Sequence, residues 1–440
     1  MTVNTRNINN IFYIFVITHL LFWTLVPSLT NYNLPLDTIE ALAWGSNLDW
    51  GFNKHPPLSA FFSEIFFQIF GAQDWAYYLL SQIFVIISFY FVFKLSKEIL
   101  NNNLLGLISV LLIETIYFYN FTTPEFNVNV CQLPFWSSTA YYSWKIYNGK
   151  NIKFTDCFLV GLFAGLGFLS KYLFIYLLVS IDLLFLYLIF IKKERKFDFK
   201  YLISLEVFLI VLVPHLIWLN NNDFITITYG VARTGLEQSS IIDHIKFPII
   251  FVLKQIGILI PFLFLIFLLV KKIKFKFNLK DKKFLFLLAI NFLPIVLMFL
   301  TSLFTGSKIK TMWMTPFYLF FGTFFVYFFQ NQINTKKLKS FMYGFIFLFF
   351  LSPGLYAYVS ISKDDKRTDY PGKGIALKTQ YTWDKQFSSK INVVYGNEWN
   401  AGNLSYHLKS RPTWEGPVER DKLDQLKDYM CLDNVCVGSR

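Results

Sequence analysis

Apolar runs near 11–29, 77–96, 103–121, 128–147, 157–170, 172–191, 201–219, 248–270, 284–303, 313–330 and 340–360 recur along the chain. Each approaches the roughly 20 residues that a helix needs to cross a bilayer, and in lipid only a helix or a closed barrel pairs all of its own backbone groups. The pattern predicts an all-α polytopic membrane bundle of about eleven spans. The stretch 157–191 is too long for one span and carries Lys171 near its middle. A lysine is costly at the bilayer centre and tolerated at a helix end, so two helices are expected to turn at Ser170-Lys171-Tyr172.

The balance of residue types agrees: of 440 residues, 55% are hydrophobic, 20% aromatic and only 16% charged, against about 25% charged in soluble chains. The net charge of +13 does not point to nucleic acid, because the cations sit in short loops between apolar runs. Lys145 to Lys153, Lys192-Lys193-Glu194-Arg195-Lys196, Lys271 to Lys283 and Lys336-Lys337-Leu338-Lys339 occupy alternate loops. The positive-inside rule places these loops and the N-terminus in the cytoplasm. It places 30–76, 122–127, Lys171, 220–247, 304–312 and everything after about 361 outside. Residues 11–29 follow Arg6 and lack a small-x-small cleavage site, so they read as a retained anchor.

Two outward stretches are larger than connectors. Residues 30–76 mix Trp44, Trp50 and Trp75 with runs such as Leu58-Ser59-Ala60-Phe61-Phe62, which suits short amphipathic helices at the interface. Residues 361–440 change composition: Ile391 to Tyr395 reads as a strand and Leu423 to Met430 as a helix, giving a small α/β domain beside the transmembrane domain 1–360. Cys431 and Cys436, five residues apart, can pair if that domain lies in an oxidising compartment, whereas Cys131 and Cys157 fall in or beside apolar segments.

The polar groups of the outer side are where chemistry can be sought. Asp37 and Glu40 lie three residues apart, on one face if the segment is helical. Such carboxylates can act as a general base, ligate a divalent cation such as Mg or Mn, or simply be solvated. Lys171, Arg233, Lys308 and Lys310, with His55 and His244, are among the few basic side chains on that side before the tail. Together they can hold one anionic group; singly, each is an ordinary helix-end residue. For Lys171, the small-residue face Gly161 to Gly167 just before it permits close packing around a buried lysine.

Leu36-Asp37-Thr38-Ile39-Glu40-Ala41-Leu42-Ala43-Trp44-Gly45, followed by Trp50-Gly51-Phe52-Asn53-Lys54-His55-Pro56-Pro57-Leu58, resembles the first outer loop of bacterial polyprenyl-phosphate-sugar glycosyltransferases of the GT-C superfamily. That group contains the protein O-mannosyltransferases and the lipid A aminoarabinose transferase. Thr123-Pro124-Glu125, Gly165 to Tyr172 and Ser307 to Pro316 match in order, with a weaker match from Leu404-Ser405-Tyr406-His407-Leu408 to Arg411-Pro412. The chain departs from many relatives in separating the acidic pair by Thr38 and Ile39, and in having Glu125 where Asp is common.

The resemblance implies a bacterial inner-membrane, multi-pass enzyme whose active site and C-terminus are periplasmic. Its donor would be a sugar on a polyprenyl phosphate, and its acceptor lipid A, a lipopolysaccharide core sugar or other glycolipid, or a protein. It implies Asp37 as the base, with Glu40 orienting it or a cation, and inversion at the anomeric carbon. Lys171, then Lys310, Lys308 and Arg233, would stabilise the leaving phosphate, with His55 beside it. Glu125, Tyr172 and Trp313 would shape the sugar or acceptor pocket. Two other classes compete: a ligase or polymerase using a diphosphate-linked donor, and a transporter, which would want midplane charges and inverted repeats.

Overall fold

The apolar runs fold as helices in chain order, and the structure, a computed structural model, describes residues 5–235, 240–271, 273–274 and 277–440. Residues 236–239 of the outer stretch 220–247 lie outside the described residues, as do Lys272, Phe275 and Lys276 of the basic run. The first long helix is α1 (Thr5–Thr30), followed by the short α2 (Leu36–Gly45) and α3 (Leu58–Phe70), then α4 (Asp74–Leu100). Next come α5 (Asn103–Glu114), α6 (Val128–Cys131), α7 (Leu133–Asn148) and α8 (Phe154–Ser170). After the break at Lys171 follow α9 (Ile175–Leu186), α10 (Lys200–Asn221), the short α11 (Ile225–Thr234), α12 (Asp243–Leu269), α13 (Lys282–Thr305), α14 (Phe321–Phe329) and α15 (Leu338–Ser362).

Seven helices among the described residues are long and apolar enough to cross a membrane, or eight if the pair Thr311–Tyr318 and Phe321–Gln332, bent by 51°, is one span. This count does not reach the expected eleven or so, because several of the apolar runs form helices shorter than a full span. The runs at 103–121, 128–147 and 157–170 form helices of only 12, 16 and 17 residues. Asn120, Thr123 and Pro124 follow the first in an irregular loop, and Gln132 divides α6 from α7. Helices α5 and α7 are buried almost throughout, so protein rather than lipid covers their apolar surface. Helix α12, by contrast, exposes Ile249, Leu253, Ile256, Ile260 and Phe264, a face suited to lipid.

The turn at Lys171 is as expected, and so is the close packing before it. Gly161 and Gly165 lie against α10, where a Cβ would come within 2.4 Å of the Ser204 carbonyl and 2.7 Å of Val211.

The basic loops gather at one end of the bundle. Lys283 Nζ reaches the Ile99 carbonyl at 2.5 Å, the Tyr147 hydroxyl donates to the Lys282 carbonyl at 2.9 Å, Arg195 bonds the Gly149 carbonyl at 2.9 Å, and Lys337 bonds that of Val270 at 2.9 Å. The alternation read from the sequence is thus a spatial segregation, with the carboxylate pair among the other set of loops.

There the tail packs as a small α/β unit with α16 (Gly372–Gln386), α17 (Asn400–His407), α18 (Arg420–Leu423) and a mixed sheet. The strands are β1 (Val393–Tyr395), β2 (Thr413–Trp414), β3 (Asp428–Leu432) and β4 (Val435–Ser439), in the order β2-β1-β4-β3. The strand expected at 391–395 is β1. The helix expected over 423–430 is instead the end of α18, a turn and the start of β3, because pairing with β4 supplies backbone partners that local sequence does not reveal. Cys431 and Cys436 face each other across that hairpin and form a disulfide.

The unit seats on α2. Gly402 lies against Ile39 and Ala43, at a place where a Cβ would come within 3.0 Å of the Ala43 side chain. The Tyr406 hydroxyl meets Asp74 at 2.7 Å and Asn33 bonds Asn403 at 2.8 Å. Helix α2 is therefore buried between tail and bundle rather than lying open at an interface, while α3 keeps an exposed apolar edge at Ile65 and Ile69.

Candidate active site

The loop 30–76 needs anchors before its side chains can be placed. Gly51 passes under the Trp218 ring, where a Cβ would come within 2.2 Å of it. The Thr226 hydroxyl donates to the Phe52 carbonyl at 2.7 Å, and His215 Nδ1 meets the Trp50 carbonyl at 2.6 Å. These contacts hold the Trp50–Leu58 segment against α10 and α11.

The opposite wall is the loop after α5. The Thr123 carbonyl accepts from Gln82 at 3.2 Å, and Gln82 in turn meets His19 Nε2 at 3.1 Å. His19 also pairs with Glu114 at 3.1 Å, a buried pair between α1 and α5 that sequence reasoning missed. The loop so fixed presents Glu125, whose Oε1 accepts the Asp37 backbone N–H at 3.0 Å. Thr38 bonds the Phe126 carbonyl at 3.1 Å. Asn127 then caps α6, accepting from the N–H groups of Asn129 and Val130 at 2.9 and 3.2 Å. That short helix aims Asn129, whose carbonyl oxygen accepts from the Lys171 ammonium.

Between these walls lies a cavity of ≈ 460 Å³. Asp37, Glu40, His55, Lys171, Tyr172, Arg233, Lys310 and Trp313, expected from sequence at up to 276 positions apart, all line it. Glu125 stands behind Asp37, and Lys308 is exposed beside Lys310, its backbone N–H bonded to the Thr234 carbonyl at 3.1 Å. His244 is elsewhere, against the Leu303 carbonyl at 2.9 Å. The Tyr172 hydroxyl is bonded to His215 at 2.7 Å, and the Lys171 ammonium stands 5.5 Å from the centre of the Trp313 ring.

The electrostatics follow from burial and mixed charge. Burial pushes the Asp37 carboxyl above its ordinary range, and the charges of Lys171, Lys54, Arg233 and Lys310 pull against that shift. Glu125 is pushed up by burial and then by the charge of Asp37. Lys171, in the break between two spans, is brought down to about 7 by burial, with Asp37 opposing and Lys310 reinforcing. Burial, with Lys171, Lys54 and Arg233 nearby, brings His55 to about 3. His55 is accordingly a neutral hydrogen-bonding group and not one of the site's cations.

Lys54 is the main residue that sequence reasoning passed over, although it adjoins His55 in the motif. Its ammonium bridges Glu40 at 2.9 Å and Glu398 of the tail at 3.2 Å. Asn129, Tyr229 and Arg367 also line the cavity and were not singled out. Asn129 meets Lys171 and the Tyr229 ring packs against His55, contacts invisible in one dimension, while Arg367 is marked only by its place in the cavity wall.

Glu40 is held by Lys54, Asp37 faces four cations, and among the described residues no cluster of three or more His, Cys, Asp or Glu side chains gathers.

Residues 54–218 match the sequence model of the dolichyl-phosphate-mannose-protein mannosyltransferase family. The match includes His55, Glu125, Lys171 and Tyr172 and begins after Asp37 and Glu40. Two solved structures of ArnT from Cupriavidus metallidurans share the fold. The one bound to undecaprenyl phosphate has a TM-score of 0.64 at 11% identity, covering 94% of this chain and 86% of that one. The apo state has a TM-score of 0.62 at 11% identity with the same coverage, 94% and 86%. No curated protein sequence matches the chain. The family match and the shared fold both fall in the group that the sequence resembles, a multi-pass membrane architecture.

Proposed function

We propose that this chain is an integral-membrane glycosyltransferase that moves a sugar from a polyprenyl phosphate to an acceptor hydroxyl or amine. The observation that carries the reading is one cavity in which a buried carboxylate, Asp37, faces Lys171, Arg233 and Lys310. That is the pairing a base and an anionic leaving group require. ArnT, which shares the fold, has been solved with undecaprenyl phosphate bound.

In this reading Asp37 takes the acceptor proton as the acceptor attacks the anomeric carbon. The carbon–oxygen bond to phosphate breaks with inversion, and its electron pair leaves with the phosphate. Proton removal by a positioned carboxylate is typically worth about two to four orders of magnitude. The growing charge of the phosphate monoester is met by Lys171, Lys310 and Arg233, with Lys308 at the rim, in a site where charges are weakly screened. Neutral His55 donates or accepts one hydrogen bond beside that phosphate. Glu40 holds Lys54 near Asp37, while Tyr172 and Trp313 wall the sugar pocket and Glu125 fixes the start of α2.

The segregation of the basic loops at the opposite end supports an outer, periplasmic site in a bacterial inner membrane, since basic loops favour the cytoplasmic side. The Cys431–Cys436 disulfide suits the same compartment. Acceptors of the matching chemistry are lipid A, a lipopolysaccharide core sugar or other glycolipid, or protein side chains. The test is transfer of labelled sugar from purified undecaprenyl-phosphate sugars to a membrane extract, wild type beside Asp37→Asn. Transfer by the wild type alone, with donor binding kept by the variant, supports the reading. Equal transfer by both, or none by the wild type, overturns it.

A further inference from the structure

The tail does more than cover α2. Glu398, just before α17, sends its carboxylate to Lys54 at 3.2 Å, and the same oxygen accepts from the Asn53 side chain at 2.9 Å. Lys54 gives its other contact, at 2.9 Å, to Glu40. Only 20% of the Lys54 side chain and 12% of each carboxylate are exposed, so this is a largely desolvated three-membered chain and not a surface ion pair. It joins two parts of the molecule that are remote in sequence, and its middle member lines the cavity beside Asp37.

We propose that Glu398 is a positioning residue of the transfer site: by sharing Lys54 with Glu40, the C-terminal domain fixes the cation that tunes Asp37. The proposal rests on the function given above and deepens it. An ammonium on a four-carbon stem with one partner samples several rotamers, and its field at a neighbour is averaged. With two partners, at 2.9 and 3.2 Å, it is held in one place. Lys54 pulls the Asp37 carboxyl down, second only to Lys171 among the cations, so loosening Lys54 weakens that pull. Burial pulls the Lys54 ammonium down, and its hydrogen bonds and charge contacts with Glu40 and Glu398 outweigh it.

The consequence is a specific pH signature. A loss of docking or stability lowers the rate at every pH. Loss of the Lys54 clamp raises the Asp37 carboxyl and moves the acidic limb of the pH–rate profile upward. The effect must vanish when Lys54 is already gone.

The experiment uses the full chain in lipid nanodiscs, as wild type, Glu398→Gln, Glu398→Asp, Lys54→Met and Lys54→Met/Glu398→Gln. Competitive acetylation of Lys54 by acetic anhydride, read by mass spectrometry, reports the clamp without any need for turnover. Transfer from undecaprenyl-phosphate sugars across pH reports the site. The expected result is several-fold faster acetylation of Lys54 in Glu398→Gln, since each unit lost from a lysine pKa frees about tenfold more amine below that pKa. Alongside it, the acidic limb moves up in Glu398→Gln and by less in Glu398→Asp, with no further shift from Glu398→Gln in the Lys54→Met background. Unchanged acetylation of Lys54 in a folded Glu398→Gln overturns the inference whatever transfer does. So does a uniform fall in rate with no movement of the limb. A wild type that transfers no sugar overturns the functional reading instead, and the acetylation result still decides whether Glu398 holds Lys54.

Discussion

The backbone N–H of Asp37 donates to Glu125 Oε1 at 3.0 Å, so a carboxyl group from the loop after α5 closes the open end of a helix 88 residues earlier. Helix α2 follows Pro35 and has no side-chain cap of its own, and its first N–H groups would otherwise lack partners. Burial and the charge of Asp37 push Glu125 up to about 8, so near neutral pH it serves mainly as an uncharged acceptor. Glu125→Gln keeps an acceptor oxygen at that point, and transfer is expected to stay within several-fold of wild type. Glu125→Ala removes it, at a cost of about 1 kcal/mol, the usual penalty for losing a helix cap. Thermal unfolding and transfer measured on both variants check this; equal behaviour of the two would mean that the bond does not matter.

Asp37 must be ionised to take a proton. Burial holds its carboxyl above the ordinary aspartate range even against Lys171, Lys54, Arg233 and Lys310. Transfer should therefore fall on the acid side as pH drops through that raised value, and on the alkaline side as Lys171, brought down to about 7, loses its proton. Asp37→Asn is expected to lose about two to four orders of magnitude at every pH while still binding undecaprenyl phosphate. A variant that keeps its rate would remove Asp37 as the base.

How much of this was open to inspection in the chain itself differs from part to part. The apolar runs, the alternating basic loops and the motif strings depend on local composition, so the bundle, its charged end and eight of the cavity's residues were legible. The lengths of α5 and α7 were not, since both are shorter than their apolar runs and are covered by neighbouring helices. Nor was the β3 strand, which depends on β4, or Lys54, whose meaning lies in Glu398 some 344 positions away. His19 and Glu114 read as parts of apolar runs, and only the fold makes them a pair.

Lys171 is the cation most deeply set in the site, bonded to Asn129 and 7% exposed. Lys171→Met keeps most of the volume and removes the charge, leaving the Asn129 side-chain oxygen without this donor. Transfer is expected to fall by about 10²–10³, the scale for loss of one charge-stabilising group. The acidic limb should also move upward, because the strongest charge opposing the rise of Asp37 is gone. Lys308→Met, at the exposed rim, should cost far less. Steady-state transfer across pH distinguishes the two, and equal losses would refute the ordering.

Removal of divalent ions is expected to leave transfer intact. The cations around Asp37 already supply the positive charge that a metal would bring, and Lys54 occupies Glu40. Transfer assayed in excess EDTA, then after addition of Mg or Mn, checks this. Loss in chelator with recovery on adding either ion would show that Asp37 and Glu40 bind it after all.

The tail is fastened to the first outer loop by Arg411, whose guanidinium bonds the Leu42 carbonyl at 2.7 Å and Glu64 Oε2 at 2.7 Å. Both side chains are nearly buried, at 13% and 10% exposure. Deleting one partner of such a pair leaves the other charge desolvated and alone, typically at a cost of about 3–5 kcal/mol. Arg411→Ala should therefore loosen the tail strongly by stranding Glu64. The double change Arg411→Ala/Glu64→Gln should recover part of the loss, since no buried charge then remains. Helix α2 carries Leu42 as well as Asp37 and Glu40, so release of the tail is also expected to lower transfer by disordering the carboxylate pair. Limited proteolysis near residues 361–371, read beside transfer, tests the link: a cleaved tail with undiminished transfer would show that α2 holds its shape without it.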